Sequence, residues 1–305
     1  MVAPSGDQVR IGHSGYAAVV TEAGATLRHL EHQGRALLDG FPADAMASGG
    51  RGQLLVPWPN RIGDGAYAFG GRRHQLALSE PARGNASHGL VRWAAWTVAE
   101  QREDAAELRY RLMAQTGYPW TLDLSVGYVL GDDGLVVTQT AVNRSASEAP
   151  YAAGAHPYLT LNRPVDALEL SLPAGTRMLT DDRKLPVGTE PVAGTAYDFR
   201  SPRPIGGTVL DHAFTDLERD DDGRATVAVR DPVTGRGVEL WADAAHPWLQ
   251  VYSADDAAAT ARRSLAVEPM TAPPDAFRTG TDLVVLRPGQ EHVARWGIRA
   301  THQPR

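Results

Sequence analysis

Short stretches in which apolar and polar residues alternate run along most of the chain, and turn-forming residues separate them. Near the C-terminus, Ala294, Trp296 and Ile298 alternate with Arg295 and Arg299. A period of two residues is typical of a β-strand that buries one face. The chain also contains 31 glycines and 21 prolines, which suits a protein with many turns.

Several pairs of these stretches flank a short turn sequence and therefore predict antiparallel hairpins. One such turn is Gly70-Gly71, a dipeptide typical of two-residue hairpin loops. The predicted strand pairs are 16–22 with 26–32, 66–69 with 74–78, 122–130 with 135–142, 226–230 with 237–242, and 282–286 with 292–299.

Helical periodicity is weak throughout, and only the alanine-rich stretch 255–263 predicts one or two helical turns. The pattern therefore predicts an all-β fold, a large antiparallel β-sandwich. No linker, low-complexity tract or internal repeat divides the 305 residues, so we expect a single domain over 1–305.

Composition excludes several classes of protein. The net charge of −6 and the lack of a strongly basic patch disfavour nucleic acid and anionic membranes as partners. The chain has no cysteine, which rules out disulfides, thiolate metal sites and a cysteine nucleophile. The N-terminus lacks the apolar segment of a signal peptide, and no apolar run is long enough for a membrane span. We therefore expect a cytoplasmic protein.

Familiar chemical motifs are missing from the sequence. There is no phosphate-binding Gly-x-x-x-x-Gly-Lys loop, no Gly-x-Gly-x-x-Gly after a strand and no Gly-x-Ser-x-Gly turn. Ten histidines are present, but none has the spacing of a zinc site. Nucleotide, serine-hydrolase and metal chemistry thus lack support.

Five polar residues stand in segments that combine glycine, proline or aromatic residues with expected loops. Arg61 follows Pro-Trp-Pro-Asn, His88 lies between Ser87 and Gly89, and Asp211 precedes a histidine. A rigid approach can hold a guanidinium for hydrogen bonding to hydroxyl groups, but a surface arginine next to a turn fits equally well. For His88 and Asp211, too, the sequence fits a ligand-binding role and a structural role alike.

The remaining two residues are candidates for proton transfer. Pro157 favours an extended backbone at His156, and histidine titrates near neutral pH. Glu268 follows Leu265-Ala266-Val267, so a strand can carry it into a partly buried place where its pKa would rise. A buried structural histidine and a solvated glutamate at a sheet rim are the alternatives.

These five segments, taken in order, resemble the aldose 1-epimerase (mutarotase) family, in particular a bacterial branch with a Pro-Trp-Pro-Asn-Arg motif. The motifs that carry the resemblance are Asn60-Arg61-Ile62 before Gly65–Phe69, Ser87-His88-Gly89-Leu90, Ala155-His156-Pro157-Tyr158, Asp211 with Phe214, and Val267-Glu268-Pro269-Met270-Thr271. Two positions depart from the family pattern, Leu159 after His-Pro-Tyr and Met270 after Glu-Pro, and we expect them to influence which sugar fits.

The resemblance implies a galactose mutarotase-like β-sandwich with a sugar cleft and no cofactor. It implies that His156 is the general acid and Glu268 the general base, and that Arg61, His88 and Asp211 hold the sugar. The expected partner is a small sugar, a free hexose or related aldose, and the protein is expected to be a monomer or homodimer.

Three alternatives remain open at the level of sequence. An epimerase for a hexose 6-phosphate would need cations aimed at the phosphate, for which Arg72, Arg73, Arg83 and Arg92 are candidates. A non-catalytic carbohydrate-binding protein would use stacking aromatics such as Trp58 or Trp93. A glycosidase would use Asp211 and Glu268 as its two carboxylates.

Overall fold

A computed structural model describes residues 2–257 and 260–302 and shows β-strands along almost all of this length. In chain order the strands are β1 (Gln8–His13), β2 (Tyr16–Thr21), β3 (Leu27–His32), β4 (Arg35–Ala36), β5 (Leu54–Leu55), β6 (Arg61–Gly63), β7 (Ala66–Phe69), β8 (Arg72–Gln75), β9 (Asn85–Ser87), β10 (Thr97–Gln101), β11 (Ala105–Leu112), β12 (Leu122–Gly131), β13 (Gly134–Asn143), β14 (Ala149–Tyr151), β15 (Gly154–Ala155), β16 (Tyr158–Leu159), β17 (Glu169–Ser171), β18 (Ala174–Thr180), β19 (Pro186–Pro191), β20 (Arg203–Pro204), β21 (Asp211–Leu217), β22 (Ala225–Arg230), β23 (Arg236–Ala242), β24 (Trp248–Tyr252), β25 (Leu265–Met270), β26 (Val284–Leu286) and β27 (Glu291–His302). The described helices are α1 (Ala276–Thr279) and two single 3₁₀ turns, Pro81–Arg83 and Val165–Ala167.

Two large antiparallel sheets form the body of the protein. The first has nine strands in the order β10-β11-β12-β13-β27-β23-β22-β17-β20. The second follows the order β19-β18-β21-β24-β25-β15-β5, and β16 also pairs with β25. A four-stranded sheet, β1-β2-β3-β4, and three two-stranded sheets complete the fold. This architecture confirms the predicted antiparallel β-sandwich.

A continuous apolar core takes side chains from both large sheets. Val126 and Val137 enter it from β12 and β13 of the first sheet, and Leu249 and Val267 enter it from β24 and β25 of the second. Along β12 buried residues alternate without a break with half-buried or exposed ones. Such alternation is what a sheet with one buried face requires, and it explains why a period of two was visible in the sequence.

Three predicted hairpins, 16–22 with 26–32, 122–130 with 135–142 and 226–230 with 237–242, are confirmed. The predicted pair 282–286 with 292–299 is wrong, because β26 pairs with β14 whereas β27 pairs with β13 and β23. The hairpin around Gly70-Gly71 is confirmed with an error in position. The return strand after Gly70-Gly71 is Arg72–Gln75, not 74–78. A two-residue loop pairs Phe69 directly with Arg72, so the strand begins immediately after the turn. The apolar residues that suggested a later strand lie beyond the pairing, where Leu76 bonds back to Gly65.

The predicted helical turns in 255–263 are wrong for the residues that the structure describes there. Those residues form turns and bends, and residues 258 and 259 lie outside the described part of the chain. Ala254 and Arg262 have positive φ angles of 57° and 53°, which a right-handed helix does not accommodate. The four-residue α1 lies instead after the proline-rich segment that follows β25.

Across residues 2–257 and 260–302, no helix has the length and apolar character needed to cross a bilayer.

Candidate active site

Strand β25 is buried on both faces, and the two faces differ in character. Leu265 and Val267 point into the main core, because they belong to its apolar cluster. Glu268 and Met270 lie on the opposite face, as the alternation of side chains along a strand requires. Met270 packs there against Trp248 and other apolar residues, whereas Glu268 lines a cavity. The strand thus carries a single buried carboxylate to the cavity wall.

His156 faces Glu268 because of strand register. Strand β25 pairs with β15 at Gly154 and with β16 at Tyr158, and this register leaves His156, midway between them, opposite Glu268. The His156 Nε2 atom lies 3.3 Å from Glu268 Oε1. The imidazole stacks on Tyr158 at a centroid distance of 4.9 Å. Backbone hydrogen bonds to residues 52 and 53 fix the main chain of His156 on the other side.

Both groups are deeply buried and incompletely bonded. His156 is 5 % exposed and Glu268 is 2 % exposed. Neither His156 Nδ1 nor Glu268 Oε2 has a hydrogen-bond partner among the described residues. Buried polar atoms are almost always satisfied, so orphan atoms beside a cavity point to a ligand that supplies the missing bonds.

Burial away from water shifts the pKa of both groups toward their neutral forms. Burial, reinforced by the negative charge of Asp211, raises the pKa of Glu268 well above its ordinary value. Burial lowers the pKa of His156 to about 3, and nearby arginines add to this effect. Both shifts favour the uncharged pair, a carboxylic acid beside a neutral imidazole. A carboxyl and an imidazole in contact that share one proton are equipped for acid and base catalysis together.

His88 presents a hydrogen-bond donor to the same cavity. Its backbone N–H donates to the Asn60 carbonyl, and the Asn60 N–H donates to His88 Nδ1 at 3.1 Å. Because Nδ1 accepts a hydrogen bond, the proton of the neutral ring is on Nε2. Burial also holds the pKa of His88 well below its ordinary value, which keeps the ring neutral. The His88 φ angle of 59° is unusual for a non-glycine residue and is held in place by these bonds.

Arg61 forms a bidentate ion pair with Glu80. Arg61 Nε and Nη2 donate to the two Glu80 oxygens at 2.8 and 3.0 Å, and Nη1 donates to Asn60 Oδ1 at 3.2 Å. Glu80 also accepts bonds from Arg83 and Asn85. A bidentate pair fixes the guanidinium plane, so Arg61 faces the cavity in one orientation.

Glu80 makes the stability of the protein sensitive to acid. Burial alone would raise the pKa of Glu80, but hydrogen bonds from Arg61 and its neighbours outweigh burial and lower the pKa from 4.5 to about 2. The stabilisation is therefore complete above about pH 4.5 and is lost as the pH falls through about 2, and it amounts to roughly 3 kcal/mol. We expect Glu80→Gln to lower the free energy of unfolding at pH 7 by roughly this amount, and by clearly less at pH 3.

Urea unfolding of wild type and variant at the two pH values measures this difference. Glu107→Gln is the matched control, because Glu107 pairs with an exposed arginine on β11 and surface pairs contribute little. A loss of stability in Glu80→Gln that is the same at both pH values would contradict the assignment.

Asp211 begins β21 and is already engaged by two side chains. Lys184 Nζ lies 2.8 Å from Asp211 Oδ2, and Gln250 Nε2 donates to Asp211 Oδ1 at 2.9 Å. Lys184 comes from the β18–β19 turn, whereas Gln250 is the partner of Glu268 in the β24–β25 ladder. These contacts fix the carboxylate at the cavity edge and leave its remaining lone pairs to accept hydroxyl protons.

One cavity of about 580 Å³ joins these groups, and its lining includes all five predicted site residues, Arg61, His88, His156, Asp211 and Glu268. Gly50 lies on its wall with a φ of 79°, and a Cβ atom there would come within 2.7 Å of His156 Cδ2. A side chain at this position would displace the imidazole, so the close approach requires glycine.

The other arginines and tryptophans considered as ligand-binding candidates differ in whether they line this cavity. Arg83, Arg92 and Trp93 line the cavity, whereas the exposed Arg72 and Arg73 are on β8 away from it. Trp58 is 3 % exposed and packs edge-on against Phe277, so it is unable to stack on a ligand.

The two positions that depart from the family pattern both pack in apolar clusters. Leu159 lies in the main core, and Met270 packs beside Trp248. Neither residue is part of the cavity lining, so any influence on which sugar fits would be indirect, through packing.

Sequence reasoning missed Glu80, Lys184 and Gln250. Each is an ordinary polar residue without a motif around it, and only the folded chain shows that it holds Arg61 or Asp211. Within the described residues, no group of three or more histidines and carboxylates is arranged to hold a metal ion.

Comparison with known proteins is consistent with this geometry. The sequence model of the family described as aldose 1-epimerase matches residues 7–299. The chain is 33 % identical to the uncharacterized protein YihR of Escherichia coli K12 over 94 % of this chain and 91 % of that protein. It is 26 % identical to human galactose mutarotase over 79 % of this chain and 76 % of the relative.

Solved structures show the same fold. A GalM/aldose epimerase homologue from C. elegans superposes with a TM-score of 0.87 at 20 % identity, over 98 % of this chain and 99 % of the other. A galactose 1-epimerase from Lactobacillus acidophilus superposes with a TM-score of 0.78 at 20 % identity, over 95 % and 93 % of the two chains.

Proposed function

This chain belongs to the aldose 1-epimerase family, and from that premise we propose that it interconverts the α and β anomers of an aldose by general acid and base catalysis. The observation that carries the proposal is the contact of His156 with Glu268 at 3.3 Å, with one unbonded atom of each group beside the cavity. Binding alone needs no such pair, because hydroxyl groups are held adequately by arginine, aspartate and neutral histidine.

The reaction begins with the shared proton on His156. Glu268, as the carboxylate, takes the proton of the C1 hydroxyl, and His156 gives its proton to the ring oxygen as the C1–O5 bond breaks. The product is the open aldehyde. Rotation about C1–C2 exposes the other face of the carbonyl, and reclosure reverses both proton transfers, so that no net proton is gained or lost.

Burial of His156 and Glu268 favours the ring-opening step of this cycle. Ring opening converts a carboxylate and an imidazolium into a carboxylic acid and a neutral imidazole, and a desolvated site favours the neutral pair. The raised pKa of Glu268 and the lowered pKa of His156 therefore both promote opening. Reclosure begins from the neutral pair and follows the same path in reverse, and the direct His156–Glu268 contact lets the proton pass between the groups between turnovers.

The remaining residues would hold the sugar. Arg61 and the Nε2–H of His88 are hydrogen-bond donors, and the Asp211 carboxylate is an acceptor. A cavity of 580 Å³ lies within the range of about 300–1,000 Å³ that small-molecule sites occupy. We propose that this cavity takes one pyranose ring, with its anomeric carbon at the His156–Glu268 pair.

A glycosidase is less consistent with the same geometry. The partner in contact with Glu268 is an imidazole and not a second carboxylate. Both oxygens of Asp211 already bind Lys184 and Gln250, which leaves Asp211 poorly suited to donate a proton to a leaving group.

Polarimetry tests the proposal. We expect purified protein to speed the optical relaxation of freshly dissolved α-glucose or α-galactose well above the buffer rate, in proportion to enzyme concentration. Isothermal titration with the same sugars provides the comparison. Binding of sugar together with a relaxation rate at the buffer value would refute the enzyme and favour a carbohydrate-binding protein.

A further inference from the structure

We propose that the physiological sugar carries an anionic substituent, a carboxylate, sulfate or phosphate type of oxyanion, and that the guanidinium of Arg92 binds it. The inference rests on the proposed epimerase function and deepens it by naming the substrate class.

The arginines that line the cavity differ in whether an acidic side chain pairs with them. Three of its arginines have acidic partners, since Arg51 pairs with Asp39, and Arg61 and Arg83 share Glu80. Arg92 also lines the cavity, but no described carboxylate lies within 4.0 Å of it. The cavity therefore contains one guanidinium that is not neutralised by an acidic side chain in the described part of the chain.

Arg92 is built into the wall and does not simply extend into solvent. The buried Gln53, 1 % exposed, donates from Nε2 to the Arg92 carbonyl at 3.0 Å. Its Oε1 accepts a long hydrogen bond from Arg92 Nη1 at 3.5 Å. Burial is the cause that lowers the pKa of Arg92, as expected for a guanidinium with part of its hydration removed. A partly desolvated charge without a counter-ion is costly, and a bound oxyanion would offset that cost through bidentate hydrogen bonds.

The position of Arg92 indicates which end of the sugar carries the charge. Arg92 is on the same loop as His88, and Gln53, whose side chain bonds to Arg92, accepts the backbone N–H of His156 through its carbonyl. Arg92 thus lies on the histidine side of the catalytic pair. In the proposed mechanism His156 serves the ring oxygen, whose other neighbour is C5. A substituent at C6 of a hexopyranose would therefore be the one nearest to Arg92.

Two other residues of the cavity lining fit this orientation. Trp93 is 52 % exposed at the cavity rim, with the Arg92 guanidinium 5.8 Å from its ring, and can cover an apolar edge of the sugar. The acidic Asp256, which would repel an anion, accepts a hydrogen bond from Tyr252 on β24. Tyr252 is the ladder partner of Asp211, so Asp256 is attached to the β21–β24 part of the cavity lining, whereas Arg92 is on the loop after β9.

Exchange NMR at anomeric equilibrium tests the inference, because it needs no pure anomer. The sugars are glucose, glucuronate, glucose 6-sulfate and glucose 6-phosphate, which share a ring and differ in the group at C6. We expect kcat/KM for at least one anionic sugar to exceed that for glucose by roughly 10–100-fold, the range of a charge-assisted hydrogen bond. The preferred anion identifies the oxyanion chemistry, and the preference should shrink as salt is added.

Arg92→Met should reduce the ratio of anionic to neutral kcat/KM by roughly 10-fold or more. Arg72→Met is the matched control, since Arg72 is exposed on β8, and it should leave the ratio unchanged. Exchange that is faster for glucose than for every anionic sugar, or a ratio unaffected by Arg92→Met, would overturn the inference and leave the epimerase intact. Exchange at the buffer rate for all four sugars would instead overturn the proposed function, and this inference with it.

Discussion

Replacement of Glu268 by glutamine should reduce kcat for mutarotation by about 10²–10⁴-fold, the contribution of a positioned general base. Glutamine keeps the size and the hydrogen bonding of the side chain but neither takes nor returns a proton at neutral pH. The substitution leaves the proposed sugar contacts of Arg61, His88 and Asp211 in place, so the affinity for sugar should remain within a few-fold. Polarimetry gives kcat, and titration calorimetry gives the affinity.

The same variant should be more stable than wild type at pH 7. The folded-state pKa of Glu268 is raised, so ionisation at neutral pH favours the unfolded chain, and this penalty is absent below the unfolded pKa of about 4.5. Thermal unfolding should therefore show a gain for Glu268→Gln at pH 7 that shrinks toward pH 4. Glu291→Gln, at an exposed position of β27, is the control in both assays and should alter neither. Wild-type kcat in Glu268→Gln would remove Glu268 from the role of base.

His156→Gln is expected to have the second-largest effect, again within about 10²–10⁴-fold on kcat, because it removes the group that we propose as the proton donor to the ring oxygen. The backbone bonds of His156 to residues 52 and 53 do not depend on the imidazole, so the strand pairing should persist. Loss of the stack on Tyr158 should lower the melting temperature modestly. The measurements are polarimetry over a range of pH and circular dichroism.

A double variant of His156 and Glu268 distinguishes a joint role of the two side chains from two separate roles. If His156 and Glu268 share one proton in one step, the double variant should lose little more activity than Glu268→Gln alone. The residual activity of His156→Gln should also lose the limb of the pH profile that reports the imidazole. A double variant whose losses multiply fully would show that the two side chains act in independent steps.

The local features of the fold were predictable from the sequence because they depend on neighbouring residues. Gly70-Gly71 fixes a tight turn, and the alternation in β27 reflects burial of Ala294, Trp296 and Ile298. The prediction of helical turns in 255–263 was wrong because a high alanine content indicates helix propensity but carries no information on the surrounding fold. Two backbone positions with positive φ, at 254 and 262, bound that segment.

The site was predictable only in part. His156 and Glu268 were found as chemically suitable residues, but their contact depends on pairing between strands that are more than 100 residues apart. Hydrophobic patterning does not specify which distant strands become neighbours. Glu80 and Lys184 were missed for a related reason, since their importance comes entirely from what they touch.

The His156–Glu268 pair belongs to one strand ladder, whereas Arg61, His88, Arg92 and Trp93 come from the small β6–β9 sheet and the loop that follows it. In the proposed roles, proton transfer and part of the sugar recognition therefore depend on different parts of the chain, although Asp211 on β21 belongs to the same large sheet as Glu268. Substitutions in the segment after β9 can change which sugar is accepted without altering the distance between the proton-transferring groups. In an evolving lineage, this separation would let a single reaction be redirected from one sugar to another by changes confined to a short surface segment.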